Sequence, residues 1–155
     1  MIGGDQHADV TLAINHARPG SKSRVLFKNV ADGSADGVFQ GKIIVAQEAQ
    51  KTDGKMMAKQ LLLSDDAAFV SKPELEIYAD DVQCGHGSTS GRIDEAMLFY
   101  FLSRGIPRPD AERLLLQAFL ADAVEAIADE EVGAALDGVI EDWLSRRPVS
   151  VAPTP

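Results

Sequence analysis

The feature that most constrains this chain is a change of period near residue 92. Before it, apolar residues recur at every second position. After it, they recur at spacings of three and four. Alternation belongs to extended strands and the longer spacing to helices, so the chain reads as a β region followed by an α region. In the first region Val10, Leu12 and Ile14 alternate with Thr11 and Ala13, and Val25 and Phe27 alternate with Leu26 and Lys28. Phe39, Gly41, Ile43 and Val45 form a third such row, and Leu75, Ile77 and Ala79 a fourth. Turn-forming stretches separate them: "ARPGSKS", "ADGSADG", "QKTDGK", "LSDDA" and "SKPE".

No helical stripe interrupts residues 8–83, which argues against βαβ units and a doubly wound sheet. Periodicity by itself favours a sandwich, with the β-helix as the rarer way to stack short strands. The α region divides into three helices. "DEAMLFYFLSRG" places Met97, Tyr100 and Phe101 on one side, with Gly105 as a C-terminal stop. "RPDAERLLLQAFLADAVEAIA" opens on Pro109 and lines up Ala111, Leu114, Leu115, Ala118 and Phe119. "DEEVGAALDGVIEDWLSRR" lines up Val132, Leu136, Val139, Ile140, Trp143 and Leu144, with acids at its positive end and Arg146 and Arg147 at its negative end. The expected division is a β core over residues 1–91, a helical subdomain over 92–147 and a disordered tail over 148–155.

Charge narrows the partners. With 24 acidic against 15 basic residues the net charge is −9, which argues against nucleic acid or an anionic membrane. The start "MIGGDQHADV" has neither the basic nor the apolar part of a signal peptide, and reads as an entry into the middle of a larger fold. No apolar run approaches the ~18 residues that a spanning helix needs. One cysteine makes no internal disulfide, so a reducing cytoplasm is the expected setting.

That cysteine, Cys84, lies two residues before His86 at the junction of the two regions, in "YADDVQCGHGSTSGRIDEAM". Two residues apart on a strand, both side chains point to one face. Thiolate and imidazole are ligands for zinc and for iron–sulfur chemistry. Two ligands do not close a site, and His7 and His16 are far away in sequence. A shell would need carboxylates, water, a small molecule or another chain. Three readings stand: Cys84 as a small core residue beside a turn histidine, the pair as part of a metal site, or Cys84 as a nucleophile served by His86. Asp80-Asp81 lacks the pattern of a calcium loop, and "GHGSTSG" lacks a phosphate-loop lysine. The glycine-rich stretch is expected to end the β region and to supply Ser90 or a neighbour as the N-cap of the next helix.

The blocks around this junction carry a resemblance. Phe39-x-Gly41, "AQKTDG", "LLLSDDA", "KPELEIYADDVQCGHG" and "DEAMLFYFLSRGI" follow one another in the order found in the SufBD family, over residues 16–127. The junction block is similar to the SufD branch in particular. The resemblance implies a right-handed parallel β-helix, here partial and truncated, plus a small α-helical subdomain. It implies a non-catalytic scaffold in cytoplasmic iron–sulfur cluster assembly that pairs with SufB and docks the SufC ATPase through its helices. A nascent, transient cluster would form between subunits, using a SufB cysteine and the histidine matching His86, with Cys84 matching a cysteine of less defined role. No cofactor is expected in the isolated chain. The alternative is a stand-alone metal-binding or cysteine-dependent enzyme using Cys84 and His86. This chain departs from the family in its shorter length and in Gly85, where serine is common. A β-helix cut short exposes strand edges, so a homodimer is expected.

Overall fold

The computed structural model describes residues 1–147, so the expected disordered tail lies outside the described residues. The chain divides into two compact units, Met1–Arg92 and a second that begins at Ile93.

Six strands build the first unit: β1 (His7–His16), β2 (Lys22–Ala31), β3 (Asp36–Val45), β4 (Asp53–Leu62), β5 (Ala68–Ile77) and β6 (Gly85–Gly91). They sort into two three-stranded sheets, β1-β3-β5 and β2-β4-β6, with every pairing parallel. Parallel neighbours need a long crossover, usually a helix. Here each crossover is a strand of the opposite sheet, so parallel pairing arises without any helix inside the unit.

This arrangement corrects the expected right-handed parallel β-helix. The strands form two separate open sheets of three, neither curled nor closed, plus three helices. Periodicity by itself favours a sandwich; here two sheets do share one core, but every pairing within them is parallel. Alternation specifies which side chains face inward. It carries no information on strand direction, on which strand is the neighbour, or on whether a sheet closes.

The inward rows meet in one apolar layer. Phe39, Ile43 and Val45 of β3 are fully buried against Met56 and Ala58 of β4, with Leu12, Ile14, Val25, Phe27, Phe69 and Leu75 around them. Phe27 stacks on Phe39 across the two sheets, ring centroids 4.2 Å apart. Gly41 makes room for this stack. A methyl group there would lie 2.8 Å from Phe39 Cζ and would also strike the Met56 sulfur. At the other end the core turns polar: Asn29 and Gln60 are opposite one another in register and both are buried.

Strand β4 escapes the sequence reading. Met56, Ala58 and Gln60 face inward, but none is a strong strand former, and Asp53-Gly54 reads as a turn. Strand β5 runs straight through Pro73, expected to lie in a turn. Its place at the edge of its sheet tolerates the missing amide.

The second unit holds α1 (Glu95–Leu102), α2 (Arg108–Glu125) and α3 (Glu130–Arg146). Asp94 caps α1 and Asp129 caps α3, each accepting two backbone N–H bonds. Pro109 opens α2, as expected. The expected apolar faces are only partly buried. On α1 Leu98 is buried, while Met97 and Tyr100 are exposed. On α2 the expected Ala111 is buried, together with Leu116 and Leu120, while Leu114 and Ala118 are exposed. On α3 Ile140 and Leu144 are buried, and Val132, Leu136 and Val139 are exposed. Three helices have too few neighbours among themselves to cover every apolar stripe.

A carboxylate is buried among them. Glu112 accepts from Arg108 at 2.9 Å and lies 3.6 Å from Arg147, tying the end of α3 to α2. Its side chain and that of Arg147 are each 10% exposed, so its loss would break a largely buried ion pair. Glu112→Leu should destabilise the helical unit by about 3 kcal/mol, read as urea unfolding followed by the fluorescence of Trp143. Gly41→Ala should destabilise the β unit by roughly 1–3 kcal/mol through overpacking, measured by far-UV circular dichroism melting. An unchanged midpoint in either variant would show that the contact in question carries no stability.

Candidate functional site

The junction stretch is positioned by the turn beneath it. Lys51 takes a left-handed backbone, φ 62°, and its N–H donates to the Asp81 carbonyl at 2.5 Å. The Asp81 N–H donates to Gln50 Oε1, and the Gln83 N–H to the Thr52 carbonyl. Asp80 and Asp81 are exposed. Asp81 therefore serves through its backbone to align one turn over the other. A polar cleft of ≈ 370 Å³ lies here, lined by Lys51, Thr52, Asp53, Asp81, Val82 and Gln83.

From this anchor the chain enters β6. "GHGSTSG" is the strand itself, not the break expected from its glycines. Parallel pairing with β4 places Gly85 opposite Lys55, His86 opposite Met56 and Gly87 opposite Met57. A side chain at Gly87 would crowd Met57, whose Cε lies 2.8 Å from where a β-carbon would sit. Gly87 thus fits a neighbouring side chain rather than a turn. The expected cap at Ser90 moves with this: Ser90 lies within β6, and Asp94 caps the helix, bonding the N–H groups of Ala96 and Met97.

Cys84 comes just before the strand and is half-buried against the apolar core. It sits beside Gly54, where an added β-carbon would lie 3.4 Å from its sulfur. His86 pairs in register with inward-facing Met56, yet is exposed, because β6 is the last strand of its sheet. Alternation puts Cys84 and His86 on the same side, one near the core and one at the open edge. No hydrogen bond joins them among the described residues. Nor do any three His, Cys, Asp or Glu side chains cluster as a metal site among the described residues. The other histidines serve elsewhere. His16 is buried at the end of β1 and bonds Ser23 Oγ at 2.9 Å, while His7 lies 3.3 Å from Asp36.

Arg24 of β2 bonds the Asp53 carboxylate at 2.5 Å and the Asp53 carbonyl at 2.9 Å. The hydrogen bond from Arg24 holds the Asp53 carboxyl below its ordinary value, helped by the charges of Arg24, Lys55 and Lys22. This brace lies on the outward face of the sheet, at the start of β4, and not beside Cys84 and His86. Arg24 and Asp53 are 29 residues apart, and only the pairing of β2 with β4 brings them together.

Comparison with known proteins decides the family. Residues 1–119 match the model of the SufBD core domain of the SUF iron–sulfur cluster assembly system. The chain belongs to the SufBD family. It is 45% identical to the iron–sulfur cluster assembly protein SufD of Escherichia coli over 122 residues, covering 79% of this chain and 29% of that protein. It is 36% identical to SufD of Bacillus subtilis over 138 residues, 89% of this chain and 32% of that protein. A SufBD family iron–sulfur cluster assembly protein of Synechocystis is 36% identical over 151 residues, 96% of this chain and 32% of its own length. This SufBD family member, SufD-like in sequence, thus spans about a third of the length of the curated relatives it matches. No helix among the described residues is long and apolar enough to cross a membrane.

The brace has a pH signature. The Asp53 pKa is lowered in the fold, so its contribution to stability is present above the unfolded carboxylate value near 3.9 and fades as pH falls through the folded value. Arg24→Gln should move the Asp53 titration upward toward that ordinary value. Carboxylate NMR of both proteins checks this, and an unmoved titration would rule out Arg24 as the cause.

Proposed function

We propose that this chain is part of a non-catalytic scaffold subunit of the Suf iron–sulfur cluster assembly complex. It pairs with SufB, docks the SufC ATPase through its helical unit, and presents His86 at the place between subunits where the nascent cluster is built. The cluster is the cargo of this site and is passed on.

One observation carries the reading: His86 is exposed on the terminal strand β6 and has no complete ligand shell among the described residues. An imidazole at an open edge suits a site whose remaining ligands come from another protein. A stand-alone metalloenzyme would need at least a third protein ligand in this chain. A cysteine hydrolase would need its base hydrogen-bonded to sulfur. The exposed Met97, Phe99 and Tyr100 of α1 leave apolar surface on the helical unit for a partner such as SufC.

The test uses the full-length protein, co-purified with SufB and SufC, as wild type, His86→Ala and Cys84→Ser. His86→Ala should retain both partners but lower the iron and sulfide content at least ~10-fold, since loss of mere supporting groups already weakens metal sites by that much. Unchanged iron and sulfide would remove His86 from the assembly site. The Cys84→Ser sample decides whether the thiol ligates or only packs.

A further inference from the structure

The outward face of the β2-β4-β6 sheet gathers cations in a chain whose net charge is −9. Register places Arg24 opposite Lys55 and Lys28 opposite Lys59, with Lys22 at the end beside Asp53. Between the two cationic rows runs an apolar one, Leu26 opposite Met57 and Met57 opposite Gly87. Lys22, Arg24, Leu26 and Lys55 are exposed, and Lys28, Met57 and Lys59 are half-buried. Gly87 leaves the row flat, with Met57 lying over it. Asp53, the carboxylate in these rows, is bonded to Arg24.

The complement of this face is on the same chain. Residues 93–155 carry 12 acidic against 5 basic side chains, a net charge of −7. Helix α3 exposes Val132, Leu136 and Val139 along one stripe, with the exposed Glu131 beside it. The two surfaces agree in size. The stripe is about 10 Å long at 1.5 Å per residue. The Leu26–Met57–Gly87 row spans two strand spacings, also about 10 Å. The cationic rows stand about 7 Å to either side of it by the strand rise, which brackets a helix roughly 10–12 Å across.

We infer that this sheet face docks the acidic helical unit of a second copy of the chain, with α3 lying across the strands and its apolar stripe on Leu26 and Met57. A nucleic acid fits the face less well. Its phosphates gain nothing from the central apolar row and are repelled by the chain's negative field. Because face and helix are different surfaces, the contact is heterologous: it closes into a ring where the rotation between copies allows and otherwise runs on head to tail.

Sedimentation velocity of the 155-residue chain, over a range of concentrations at low and high salt, tests the inference. Self-association should weaken about tenfold or more between roughly 0.02 M and 0.5 M NaCl, and by a similar factor in Lys55→Glu/Lys59→Glu. Lys55→Gln/Lys59→Gln should show the same direction with a smaller effect, which covers the case in which the reversed charges impair folding. Glu131→Lys/Val139→Lys should also dissociate. Mixing the two reversed variants should restore a one-to-one complex, since each retains the surface the other lacks. A monomer under all conditions would overturn the inference. So would association that ignores salt and these substitutions, as pairing through strand edges would, or a mixture that stays monomeric. Salt-sensitive binding of a labelled single-stranded oligonucleotide, lost in Lys55→Glu/Lys59→Glu in place of self-association, would reassign the face to nucleic acid.

Discussion

Each strand of the β unit is hydrogen-bonded to a strand two places away in sequence, because the strand between belongs to the opposite sheet. Neither sheet can form alone, since every parallel connection passes through the other. The two sheets therefore share one core, and the contacts that join them, above all Phe27 on Phe39 beside Gly41, hold both in register. Strand β4 is the centre of its sheet. Its inward Met56 and Ala58 are buried in the shared core, and its register with β6 sets where His86 stands.

The candidate site follows from this. The turn at residues 50–52 receives the backbone of Asp81 and Gln83, so the chain arrives at β6 with its alignment already set. Cys84 then falls against the core and His86 beyond its edge. Cys84, just before the strand, packs against the core cluster, while His86, within the last strand of its sheet, is exposed. The same geometry separates the site from the outward cations of β2 and β4, which face the other way.

Much of the core was legible. Leu12, Ile14, Val25, Phe27, Phe39, Ile43 and Val45 all face inward as their alternation indicates. Strand β4 was not legible, because methionine, alanine and glutamine take strand conformation only when β2 and β3 are there to pack against. Nor was β6. Glycine usually marks a turn, and only the side chain of Met57 shows why a glycine stands at position 87 inside a strand. The helices were legible as helices but not in their buried faces, since three helices have fewer neighbours than apolar stripes. The pairing of Glu112 with Arg147, and of Arg24 with Asp53, had no signal in the sequence at all.

By itself, the sequence determined the order of strands before helices, the inward rows of most strands, the family, and the pair Cys84 and His86 as residues of interest. These depend on period, composition and local motif, which are properties of neighbouring residues. Strand direction, the sorting of strands into two open sheets, the exposure of His86 and the cationic face opposite it were decided only by the tertiary structure. Each depends on which distant segments lie side by side, and a pattern of alternation is the same whichever neighbour a strand acquires.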